Sequence, residues 1–293
     1  MTIRTLLSGL ACLGFVACAG AQIEETTAPV FTMADVEAAP DAWRAVDPEN
    51  LVIMQTSRGE IVIELSPEMA PRHVAHFKKY VRAGLYDDTV FHRVIKGFMA
   101  QGGDVQATHG ADKMLDPLEE EFTVRVKPSE LEIDAIGQAA SSTGGYLNGM
   151  PIENQAQFLA EMSVDGLVES WIPHCPGVLS SARTADRDSA NAQFFLISED
   201  GRHLDRKYTA KGRAIAGLDV IKAIKLGPSP DGYPISNPDV VTSVVIAADQ
   251  DEAIRRRAYV QRTNTPEWQA MFAAADKARQ DPCDLPPLPA VVQ

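Results

Sequence analysis

The 293-residue chain has no surplus of basic charge, no cysteine or histidine pattern of metal-binding spacing and no serine-hydrolase elbow. Forty acidic against 27 basic residues leave a net charge of −13. That balance argues against a nucleic-acid footprint and against a polybasic membrane patch. There is no CxxC and no HExxH, and the six histidines are scattered, so neither a metal nor a cofactor is expected. His73 and His76 sit three apart on an expected helix, where solvated or half-packed imidazoles are the plainer reading. GxSxG is missing too, and the Ser180–Ser181 pair has no base partner identifiable in the sequence. No internal repeat is evident.

The longest apolar run, residues 6–17, follows Arg4 and precedes Ala19-Gly20-Ala21. This reads as a secretory signal peptide over residues 1–21. At about a dozen apolar residues it falls short of the ~20 that span a bilayer. The alternative is a lipid anchor on Cys18, which follows Val16-Ala17. Removal of the segment leaves Cys175 and Cys283. In an oxidising compartment these could pair and tie the tail to the core. The competing reading is Cys175 buried as a small apolar residue with Cys283 free in a mobile tail.

The apolar fraction of 45% and charged fraction of 23% are ordinary for a globular protein. Residues 22–47 are polar and rich in Pro and Ala, and read as a tether. Residues 51–56 and 60–65 around Ser57-Arg58-Gly59 predict a β-hairpin, with Ile61, Ile63 and Leu65 on one face. Pro71 opens a helix with Val74, Phe77 and Val81 on one stripe, ending at Gly84. Further strands are expected at 122–126, 177–180, 193–198, 208–214 and 240–247, with helical segments at 155–162 and 217–225. Many short strands with two substantial helices predict a mainly β fold, a closed antiparallel barrel with a helix over each end. The main domain is expected over 48–248, with a long insert at about 105–175. Residues 249–293 form a separate extension, helical at 252–262 and 266–279 and Pro-rich at its end.

Residues 91–104, FHRVIKGFMAQGGD, set a single guanidinium, Arg93, among Phe91, Val94, Ile95, Phe98 and Met99. A guanidinium in an otherwise apolar stretch is costly to bury without a task. Gly102 and Gly103 behind Gln101 point to a turn or a close backbone approach. The pattern describes a shallow apolar pocket with one multi-donor group aimed into it.

The run resembles the cyclophilin family of peptidyl-prolyl isomerases nearly letter for letter. Two further blocks carry the resemblance: residues 177–197, GVLSSARTADRDSANAQFFLI, similar to the bacterial exported branch, and residues 203–212, HLDRKYTAKG. The resemblance implies isomerisation of X–Pro bonds in exported or folding proteins, which breaks no bond and requires no metal or cofactor. It implies Arg93 and Gln101 as catalytic residues, with Arg93 stabilising the twisted amide. Phe98, Met99, Phe195 and Leu204 would wall the proline pocket, Ala182 would offer backbone contacts, and His203 and Tyr208 would stand at its edge. The implied partners are proline-containing segments of unfolded or exported proteins, met by a monomer in the periplasm or, with the Cys18 anchor, on a membrane facing it. The alternative is a slow peptide-binding or holdase module on the same barrel. The chain departs from the family at His203 (usually Trp or Phe), Ser181 (commonly Met) and Lys211 (usually aromatic or apolar), and in the length of the insert.

Overall fold

The computed structural model describes residues 30–127, 130, 133–138, 142–278 and 281–293. The expected signal peptide and the candidate anchor Cys18 lie outside the described residues. Among the described residues no helix is long and apolar enough to cross a membrane.

The hairpin strands β1 (Leu51–Thr56) and β2 (Gly59–Leu65) pair from Leu51↔Glu64 to Thr56↔Gly59. With β3 (Arg93–Ile95), β4 (Met99–Gly102), β5 (Val178–Ser181), β6 (Phe194–Ile197), β7 (Ala210–Ala216) and β8 (Val241–Ile246) they form an eight-stranded sheet. Its order is β8-β1-β2-β7-β5-β6-β4-β3. The fold is mainly β as expected, but the barrel is open rather than closed. Edge strands β8 and β3 share no ladder, and an isolated bridge, Val90↔Val240, joins the segments leading into them. A loop takes the bonds that a closing strand would use. The Val94 N–H donates to Gly232 O, and the Gly227 N–H to Val94 O, both at 3.0 Å.

Helices α1 (Pro71–Arg82) and α2 (Leu218–Ala223) cover the curled sheet. Val74, Phe77 and Tyr80 of α1 and Ile221 of α2 join Met54, Ile61, Ile63 and Phe194 in one cluster. Leu51, Ile53 and Val62 face the other way, into a second cluster with Tyr146, Trp268 and Phe272. Both faces of the hairpin are therefore covered, which is why residues 51–54 run Leu-Val-Ile-Met without alternation.

That second layer comes from segments read as peripheral. Residues 22–47 were expected as a tether, yet from Phe31 onward they pack, with Val36 buried in a helix at Met33–Ala38 and Trp43 buried in a strand at Trp43–Ala45. The expected helix at 252–262 is instead a turn followed by a strand, Ala258–Gln261, lying between Trp43–Ala45 and Ala290–Val292. Ala258 and Val260 are buried while their neighbours are half-exposed, a period of two that no helix accommodates. Pro266–Ala278 is helical, as its Thr265-Pro266 start predicts, and buries Trp268, Phe272 and Ala275. The insert forms its own antiparallel sheet, ordered Val124–Val126, Val168–Trp171, Met150–Gln155, Ser142–Leu147, Asp134–Gln138. Its helix shrinks to Phe158–Met162 because the preceding residues pair as a strand.

Insert and tail are cross-linked. Cys175 and Cys283 form a disulfide with Cα atoms 4.8 Å apart, so the bonded reading holds over the free-thiol one. Nearby, the Tyr146 ring stacks on Phe272 at 5.6 Å and its hydroxyl donates to Pro282 O at 3.2 Å. Closing a loop across 108 residues contributes roughly 4–5 kcal/mol in the chain-entropy model. Reduction is therefore expected to lower the Tm by about 10 °C and to expose two alkylatable thiols. Two free thiols in the unreduced protein would contradict the cross-link.

Lys211 departs furthest from an apolar core. It is 1% exposed, its Nζ donates to Ser181 Oγ at 3.0 Å and lies 4.8 Å from the centre of the Phe77 ring. The neutral His73 ring completes the chain. Its Nε2–H donates to Glu119 O at 3.0 Å, so Nδ1 accepts from the Ser181 hydroxyl at 2.9 Å. His73 and His76 are thus buried, not half-solvated as the sequence suggested. Burial pushes Lys211 down to about 7, and burial with the Lys211 charge pushes His73 down to about 4. An unfolded lysine holds its proton up to about 10.5. Between about 7 and 10.5 the unfolded chain therefore binds more protons at this site, and stability rises with pH through that window. Lys211→Met is expected to raise the Tm at pH 6 and to lose that advantage by about pH 10. Equal melting of the two proteins at every pH would contradict a buried, destabilising ammonium.

Candidate active site

The pairing of the short strands at the open end of the sheet assembles the site. Arg93 on β3 stands opposite Gln101 on β4, and Gln101 opposite Phe195 on β6. Directly opposed residues share a face, so these three side chains project to one side. Two glycines let the strands come this close. A Cβ on Gly103, whose φ is 73°, would lie 2.7 Å from the Phe194 ring, and one on Gly102 would lie 3.1 Å from Phe91. Of the two roles foreseen for the pair, close approach is the one these contacts show.

The side chains surround a cavity of about 200 Å³ lined by Arg93, Phe98, Met99, Gln101, Ala182, Phe195, His203, Leu204 and Tyr208, with Arg183 beside them. Every site residue expected from the sequence lies on this one cavity. Met99 and Phe195 are buried in its floor. Phe195 is held edge-on by Tyr208 at 5.6 Å and stacked by His174 at 6.1 Å. His174 is itself held by Asp205, its Nδ1 and backbone N–H lying 2.9 and 2.7 Å from Oδ1. Burial lowers the His174 pKa against the pull of that carboxylate, so the ring stacks on Phe195 as a neutral group at pH 7. His203 packs on Phe98 with centroids 4.8 Å apart, at the edge where a larger aromatic was expected. The Ala182 N–H is committed to Gln193 O at 2.9 Å, so a peptide contact at this residue falls to its carbonyl.

Arg93 is half-buried and makes two bonds. Its Nε donates to Asp231 O at 3.0 Å, and Nη1 reaches Gln101 Oε1 at 3.4 Å. Gln101 is anchored in turn, donating to Gln193 Oε1 at 2.9 Å. Of the five guanidinium N–H groups, three remain for a ligand. The arrangement offers a planar set of donors, fixed in direction, over a small apolar pocket. Among the described residues its lining includes no serine, threonine, cysteine or carboxylate, and it suits the recognition and polarisation of an amide.

Asp231, Arg183 and His174 were missed from the sequence. Asp231 acts through its backbone carbonyl, on a loop 138 residues from Arg93, which no side-chain pattern reports. Its neighbour Gly232 has a φ of 69°, and a Cβ there would lie 2.5 Å from Val94 O. Gly232→Ala is expected to push the loop away, release the Arg93 Nε and lower kcat/KM about ten-fold or more with the fold intact. Activity within two-fold of the parent would show that the loop does not hold Arg93 in place.

Comparison with known proteins identifies a family and related structures. The family model for cyclophilin-type peptidyl-prolyl cis-trans isomerases matches residues 51–246. A probable peptidyl-prolyl cis-trans isomerase of Brucella suis is 36% identical over 205 residues, covering 70% of this chain and 86% of that protein. Peptidyl-prolyl cis-trans isomerase A of Dickeya dadantii is 29% identical over 202 residues, covering 67% and 82%. The crystal structure of cyclophilin AquaCyp293 from Hirschia baltica superimposes with a TM-score of 0.83 at 44% identity, over 89% of this chain and 97% of that one. The last match extends beyond residues 51–246 and so takes in part of the added layer.

Proposed function

Because the chain belongs to the cyclophilin-type peptidyl-prolyl cis-trans isomerases, we propose that it accelerates X–Pro rotation in exported proteins, with Arg93 stabilising the twisted amide. The amide bond resists rotation by ~18–20 kcal/mol because resonance gives it double-bond character. Uncatalysed X–Pro exchange takes roughly tens to hundreds of seconds. An ordinary turnover of about 1–10³ s⁻¹ requires the barrier to fall by roughly 3–7 kcal/mol. In the twisted state the proline nitrogen recovers its lone pair and becomes a hydrogen-bond acceptor, which the planar amide is not. A donor aimed at that nitrogen binds the twisted state more tightly than either planar isomer, and only such a difference accelerates the reaction.

One observation carries this reading: the Arg93 guanidinium, tied by Gln101 and the Asp231 carbonyl, keeps three N–H groups over a pocket floored by Met99 and Phe195. The proline ring would fill the apolar floor, displacing water and strengthening the donor. Gln101 would orient both Arg93 and the peptide backbone. Export is supported by the leader-like residues 1–21 and by the Cys175–Cys283 bond, which suits an oxidising compartment such as the periplasm. Clients would then be exported chains folding there.

Arg93→Ala is expected to lose most of kcat/KM on a proline tetrapeptide, by about 10²-fold or more, while keeping the fold and weak peptide binding. A folded variant with near-parental activity would remove Arg93 from the mechanism. A parent that binds the peptide without accelerating exchange would instead favour the slow binding module.

A further inference from the structure

The cavity carries a second guanidinium that the proposed reaction leaves unused. Arg183 donates from Nε and Nη2 to Lys207 O at 3.1 and 2.9 Å, and from Nη1 to Thr184 O at 2.8 Å. Those acceptors are neutral carbonyls. The guanidinium also lies over two rings, 4.4 Å from the centre of Tyr208 and 5.4 Å from Phe122. Arg187 flanks the same Phe122 at 5.1 Å, but its charge is matched by Glu120, whose Oε2 accepts from Nε at 2.6 Å. Arg202 and Arg206 have carboxylate partners in Glu153 and Glu169. Among the described residues Arg183 forms no ion pair.

The cavity lining as a whole has the same bias. Two arginines and no acidic residue line it, in a chain with 40 acidic and 27 basic residues. On the far side of Arg183 the adjoining cavity includes one carboxylate, Asp104, which accepts from the Ala107 N–H at 3.0 Å and forms no ion pair with Arg183. Arg183 is thus fixed in position by carbonyls and rings, keeps two of its five N–H groups, and among the described residues has no carboxylate within ion-pair distance.

We propose that Arg183 forms an anion-accepting subsite beside the proline pocket, favouring peptides with an Asp or Glu side chain next to the proline. The inference rests on the isomerase reading and names the class of substrate that this site prefers. A carboxylate arriving there gains a charge-assisted hydrogen bond from a donor already oriented. An ammonium in the same place meets a like charge. The site is half open to water, so screening limits the preference to about two- to five-fold per charge step. A purely structural Arg183, holding Tyr208 by its stack, would act on all peptides alike.

The test is kcat/KM on matched peptides carrying Glu, Gln or Lys in turn before and after the proline, for the parent and for Arg183→Gln. The parent is expected to rank Glu above Gln above Lys at one of the two positions. The ranking should flatten in about 0.5 M salt, and the Glu-to-Lys ratio should fall toward one in Arg183→Gln. The salt titration needs only the parent, so the charge preference stays open to refutation even if the variant fails to fold, and the variant assigns it to Arg183 rather than Arg93. Equal rates for all peptides in the parent would overturn the subsite and leave the isomerase reading standing. So would a uniform loss across the peptides in a folded Arg183→Gln. A parent that accelerates none of them would overturn the isomerase reading and this inference with it.

Discussion

The site depends on the register of three short strands. Arg93 faces Gln101 and Gln101 faces Phe195, and because side chains alternate along a strand, a slip of one residue would send the guanidinium and the pocket floor to opposite sides. Nothing in three- and four-residue strands enforces that register alone. Gly103 helps by permitting an approach to Phe194 that a Cβ would block, Gly102 by easing a tight contact with Phe91, and the loop around Gly232 by bonding Val94 on the open edge. The open barrel is therefore part of the site: the edge left unpaired by β8 is where the Asp231 carbonyl reaches Arg93.

A second layer stiffens the first. The hairpin is apolar on both faces, one facing the interior of the curled sheet and the other the Trp268 and Phe272 helix. Trp43–Ala45, from the start of the described chain, pairs with Ala258–Gln261, so the two ends hold one another in place. The Cys175–Cys283 bond fixes the tail to the residue after His174, whose ring stacks on Phe195. Segments that never line the cavity thus determine how firmly its floor is held. The buried Lys211–Ser181–His73 chain works against this stability, costing the fold at neutral and acid pH.

Much of this was legible in the sequence, and the exceptions have a common cause. Arg93 and Gln101 stood out because a single guanidinium and an amide in an apolar run need a purpose, whereas Phe195 and Leu204 would pass for core residues without the family resemblance. The hairpin and α1 were marked by local chemistry, at Gly59, Pro71 and Gly84. What was missed is set by partners far away in sequence. Ala258–Gln261 is a strand because of Trp43–Ala45, more than 200 residues earlier, and its flanking charged residues resemble a helix. Asp231 contributes a carbonyl, invisible to any side-chain pattern. Arg183 was overlooked because, within SARTAD, it reads as an ordinary surface arginine until Tyr208 and Phe122 close around it. The barrel was expected to close because counting strands cannot reveal which edge a loop will occupy.

The account stands on the geometry of the Arg93 donors, not merely on a positive charge over the pocket. Arg93→Lys separates the two, since lysine keeps the charge but loses the planar fork and the bonds to Gln101 and Asp231. Two-dimensional exchange NMR on a proline peptide, with parent and variant compared at equal bound fraction, measures rotation on the protein apart from binding. The account predicts that exchange in the bound peptide falls about ten-fold or more in Arg93→Lys while its affinity stays close to that of the parent. Exchange at the parental rate in the folded variant would contradict it.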